Sequence, residues 1–115
     1  MSSKPSPQYL KIKKQYPALF SALEAMGLAA RQAGPLDEKQ AQLVQLAGAA
    51  ASHSEGAVHS HTRRAMEAGA TKEDICHALI LLTSTIGFPA VMAALSWAQD
   101  VMEGRIPPVE HIDSP

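Results

Sequence analysis

An all-α fold is the prediction, and two observations carry it. Apolar residues recur every three or four positions through most of the chain, the spacing that lines one face of a helix. Alanine is abundant while aromatic residues make up only 4% of the 115 residues, which suits closely packed helices better than a β-sandwich of aromatic and β-branched side chains. A hydrophobic content of 46% is ample for one core at this length, so a single domain is expected.

Residues 1–8 are rich in Ser and Pro, lack apolar periodicity, and read as a disordered leader before a helical domain over 9–104. The first helix is predicted from Tyr16, carried by Leu19, Leu23, Met26 and Ala30, to a stop at Gly34-Pro35. Asp37 offers an oxygen to the free amides of a second helix, whose Leu43, Leu46, Ala47 and Ala50 share a face and which runs to about Ala51. Ser54 is placed to cap a third, carrying Ala57, His61, Arg64 and Ala68 to the stop at Gly69. Thr71 and Asp74 match a capping box at the start of the fourth. Its apolar residues Ile75, Ala78, Leu79, Leu81, Leu82 and Ile86 cover more than one stripe, so it is expected at the centre of the core or at a subunit contact. Gly87 interrupts it, Pro89 fits the first turn of the last helix, and Gly104 ends that helix after about Glu103. Residues 105–115, with Pro107-Pro108, read as an extended tail.

Ten basic and eleven acidic residues nearly cancel and are interspersed, so no field favours nucleic acid or anionic lipid. No apolar run is long enough to span a bilayer, and the N-terminus has no apolar export signal. A cytoplasmic protein without nucleic-acid or membrane partners is expected. Cys76 is the single cysteine, which rules out a disulfide within the chain and fits a reducing compartment.

Chemistry concentrates at the start of the third helix, where Ser54, Ala57 and His61 are spaced by three and four residues and project from one side. Glu55 and His59 form a second i, i+4 pair on an adjacent face. They are either an exposed helix pair or a carboxylate that orients an imidazole for acid–base work. His59 and His61 point to nearly opposite sides, no HExxH or CxxC motif accompanies them, and no metal is expected. Cys76 and His77 lie near the start of the fourth helix, where the helix field lowers a thiol pKa; packing is the favoured reading for Cys76, and a pocket or interface place for His77. There is no Gly-rich phosphate loop and no GxSxG nucleophile motif.

The stretches Leu36-Asp37-Glu38-Lys39, Glu67-Ala68-Gly69-Ala70-Thr71-Lys72-Glu73-Asp74-Ile75 and Gly87-Phe88-Pro89-Ala90 resemble the carboxymuconolactone decarboxylase and alkylhydroperoxidase-like (AhpD-like) family, over about residues 16–103. The resemblance implies a compact domain of about five to six helices that assembles as a trimer or hexamer. In the peroxidase branch a CxxC pair opens the third helix, a histidine follows four residues on, and a glutamate on the preceding helix completes a proton relay. The matching places here hold Ser54, Ala57, His61 and Gln42, so only the histidine is kept. Peroxide reduction needs an attacking thiolate and a resolving thiol, and neither is there. The cysteine-lacking decarboxylase branch is the closer likeness. It implies proton transfer, in decarboxylation or isomerisation, on a small carboxylated lactone or related acid, with no cofactor; the alternatives are an alkylhydroperoxidase-like redox protein with a degenerate active site, or a non-catalytic oligomeric binding domain. His61 would be the acid or base with His59 or Glu55 setting its charge, and Gln42, Ser54, Ala57, Cys76, His77 and Phe88 would line the substrate pocket.

Overall fold

Residues 7–105 are described by a computed structural model. All the regular structure among them is helical: α1 (Pro7–Gln15), α2 (Pro17–Gln32), α3 (Glu38–Ala51), α4 (Glu55–Glu67), α5 (Lys72–Ile80), α6 (Thr83–Ile86) and α7 (Phe88–Met102). The expected tail from Ile106 onward, and the expected leader apart from Pro7 and Gln8, lie outside the described residues. None of these helices is long and apolar enough to cross a membrane.

The caps form where side-chain chemistry places them. Asp37 accepts from the Gln40 amide at 2.8 Å while the Gln40 side chain accepts from the Asp37 amide at 3.0 Å, a reciprocal pair that starts α3. Thr71 and Asp74 do the same for α5. Between α3 and α4 the chain turns through His53, which adopts a left-handed φ of 56°, and the Ser54 amide reaches back to the Ala49 carbonyl at 3.1 Å. Gly87, with φ 91°, breaks the chain between α6 and α7, and Pro89 then sits in the first turn of α7.

Two features depart from the sequence reading. The fourth predicted helix is two: α5 ends at Ile80, and the one-turn α6 follows after Leu81-Leu82. The Thr83 hydroxyl donates to the Ile80 carbonyl at 2.7 Å, a local bond that competes with continuation of the backbone ladder. The second departure is α1, whose lysine-rich sequence shows little apolar periodicity. It is held to α2 by the Tyr9 ring standing edge-on to Phe20, with centroids 5.2 Å apart, and by a Lys13–Glu24 ion pair.

The core forms where α3, α4 and α7 meet, with α5 laid across α3 and α7. Leu46, Val58, Ile75, Leu79 and Val91 supply its bulk, and Ala49, Ala50, Ala65, Ala94 and Ala98 let the helices approach closely. The helix at the centre is α4, so of the two places expected for the apolar α5, the centre of the core or a subunit contact, the first is not where it lies. Every residue from Ala57 to Arg63 is buried, five of them polar or charged. By contrast α5 buries only Ile75 and Leu79. The small residues of α3 and α7 decide this, because they admit a polar helix between them where a bulkier pair of faces would not.

Candidate functional site

Between Ala57 and Arg63, where α4 is enclosed, polar groups are cut off from water and need partners within the protein. On α4 the Ser54 hydroxyl accepts from the Ala57 amide at 3.3 Å, so this candidate residue serves as the helix cap. Seven residues further on, His61 is 4% exposed. Its Nδ1 lies 2.9 Å from Gln42 Oε1 on α3, so the structure brings together two residues that the sequence singled out. Gln42, itself buried, donates from Nε2 to Glu38 Oε2 at 3.0 Å. Glu38 lies one turn earlier on α3 and is gripped by Arg31 of α2 at 2.5 Å, and Arg31 also donates to Gln45 Oε1 at 2.6 Å. A continuous chain of polar contacts therefore runs from the surface of α2 through α3 into the buried face of α4.

The electrostatics follow from this geometry. Burial, then the nearby positive charges of Arg64 and Arg31, push the His61 pKa down to about 4, so the imidazole is neutral at neutral pH. The hydrogen bonds from Arg31 and Gln42 lower the Glu38 pKa and hold that carboxylate ionised. Glu38, Gln42, Arg64, Glu67 and Ala68 line an open cavity of about 380 Å³. A neighbouring one of about 450 Å³ shares Glu38 and Arg64 and reaches Arg31 and Tyr9. The apolar cleft between α2 and α3, about 610 Å³, is larger and meets this network at Arg31 and Gln45.

Other candidate residues take different places. The exposed-pair reading of Glu55 and His59 is corrected: His59 is fully buried while the Glu55 side chain is half exposed. Glu55 Oε2 lies 3.7 Å from His59 Nε2, beyond a hydrogen bond. Being two positions from His61 on the helix, His59 projects from nearly the opposite side. Ala57 packs into the core. Cys76 is partly buried on α5, while His77 and Phe88 are exposed. None of Ala57, Cys76, His77 and Phe88 lines the two polar cavities beside Gln42. No group of three His, Cys, Asp or Glu side chains is arranged to hold a metal among the described residues.

Sequence reasoning missed Glu38, Arg31 and Arg64. Glu38 had a signal, since it precedes Gln42 by four residues and so shares its face of the helix. Arg31 had none, because only the packing of α2 against the start of α3 brings it there.

Comparison with known proteins gives two matches. The family model for the carboxymuconolactone decarboxylase family matches residues 17–100. The chain is also similar to a carboxymuconolactone decarboxylase family protein from Legionella pneumophila, solved in its apo form. The two are 27% identical and superpose with a TM-score of 0.75, covering 84% of this chain and 86% of that one. No individually curated protein matches the chain.

Proposed function

The chain belongs to the carboxymuconolactone decarboxylase family, and on that premise we propose that it carries out acid–base chemistry on a small carboxylated lactone or related acid, with His61 as the proton-transfer residue. The observation that carries the proposal is a buried, neutral imidazole hydrogen-bonded at one nitrogen inside an otherwise packed helix. A group held this way starts the reaction as a base. In isomerisation it removes a proton next to a carbonyl and, once protonated, returns it to another carbon; in decarboxylation the C–C bond breaks to release carbon dioxide, and the imidazole relays a solvent proton to the carbon that bore it. Arg64, lining both polar cavities, supplies a cation for the substrate carboxylate, and developing enolate charge falls in the field of Arg64 and Arg31.

Thiol peroxidase chemistry is not part of this reading. Ser54 and Ala57 stand where the peroxidase branch has its cysteines, and the Ser54 hydroxyl is engaged as a cap. The cysteine-lacking decarboxylase branch is therefore the branch we assign. The protein works as a homo-oligomer, the trimer or hexamer that the family resemblance implies, and Leu19 and Met26, seven residues apart on one face of α2, leave apolar surface for it to cover.

A second reading, a non-catalytic binding domain that kept the fold, is favoured by one observation: His61 itself lines neither polar cavity. Decarboxylation of γ-carboxymuconolactone and related β-keto and lactone acids by the native chain and by His61→Ala separates the two. Turnover by the native protein that falls by about 100-fold or more in the variant is expected of a positioned acid–base group. A variant as active as the native chain removes His61 from the mechanism.

A further inference from the structure

The direction of the Gln42 amide is fixed by what lies on its far side. Glu38 is an ionised carboxylate and can only accept, so the end of Gln42 that meets it at 3.0 Å must be the NH₂ group. The end facing His61 is then the carbonyl oxygen, which can only accept from Nδ1 across 2.9 Å. A neutral imidazole carries one ring proton, so that proton is on Nδ1 and the lone pair is on Nε2. Arg31 completes the arrangement by holding Glu38 in place from α2 while anchoring itself on Gln45.

We infer that Glu38 and Gln42 are positioning residues that hold His61 as its Nδ1–H tautomer and so make Nε2 the proton-transfer atom of the site. Imidazole side chains in water favour the opposite tautomer, so the arm imposes a choice that His61 would not make alone. Glu38 acts through Gln42: without a carboxylate there, the amide is free to turn over and present its NH₂ group to Nδ1, which would drive the ring proton to Nε2. The role of Nε2 in catalysis rests on the proposed function; the tautomer does not.

Long-range ¹H–¹⁵N correlation spectra of the full chain labelled with ¹⁵N-histidine test this, with His61→Gln used to assign the His61 signals. At pH 7 the native protein should show a protonated Nδ1 and a bare Nε2. Gln42→Leu, matched in size but unable to accept, should convert that single tautomer into a mixture or into the Nε2–H form. Glu38→Gln should lower the Nδ1–H share in the same direction. A native spectrum with the proton on Nε2 overturns the inference, as does a folded Gln42→Leu variant with an unchanged pattern. Should Gln42→Leu not fold, the native spectrum and Glu38→Gln decide alone. The expected tautomer in a protein without turnover on any tested acid would retire the proposed function and leave the positioning arm standing.

Discussion

His61 makes the stability of the protein depend on pH in a direction set by its environment. Its folded pKa of about 4 lies below the value near 6.5 expected in the unfolded chain. Between those two values the unfolded state binds a proton that the native state refuses, so stability rises with pH. The contribution is fully present above pH 6.5 and is lost as the pH falls through 4, with a magnitude of up to about 3 kcal/mol. Urea unfolding of the native chain and His61→Gln at pH 7 and pH 4 isolates it, since the lowered carboxylates Glu38 and Asp74 titrate in both. The native chain should lose more stability than the variant; equal losses would contradict the burial argument. At this scale the sequence revealed His61 through its spacing from Ser54 and Ala57, and it placed Gln42 by resemblance. It did not reveal the burial of His59, because a Glu55–His59 pair on a polar helix looks the same on a surface as in an interior.

Elements were legible wherever a side chain closes a helix end. Asp37, Ser54 and Thr71 each accept from the amide three residues on, and the starts of α3, α4 and α5 follow from the sequence alone. Asp37→Ala and Thr71→Ala should each lower stability by about 1 kcal/mol in denaturant unfolding. Asp37→Ala should have the further effect of loosening the first turn of α3, which carries Glu38. An unchanged unfolding midpoint in either variant would show that the cap is not what holds that helix start. The split between α5 and α6 was not legible, since it depends on a threonine hydroxyl choosing a local carbonyl in the middle of an apolar run. Nor was α1, where the stabilising contact is one aromatic pair reaching into the next helix.

For the molecule as a whole, hydrophobicity was a good guide to fold class and a poor guide to which helix is central. The apolar run through α5 and just beyond it leaves Ile80 and Leu81 more than half exposed, whereas the polar middle of α4 is enclosed by the alanine-rich faces of α3 and α7. A polar helix in that position runs against simple patterning, and such departures concentrate where a protein keeps groups for chemistry. The same scale sets the oligomer prediction. No residue of α2 is buried, and Leu19 and Met26, on one face of it, are 55% and 61% exposed. Sedimentation should find an assembly of three or six chains, and Met26→Glu should shift it toward smaller species; a native monomer would contradict the assignment. The central claim, that His61 moves a proton to or from carbon, is tested most directly by solvent deuterium incorporation beside the carbonyl of lactone and β-keto acids, followed by proton NMR. The native chain should catalyse incorporation at neutral pH and His61→Ala should not; incorporation that survives the substitution would place the chemistry elsewhere.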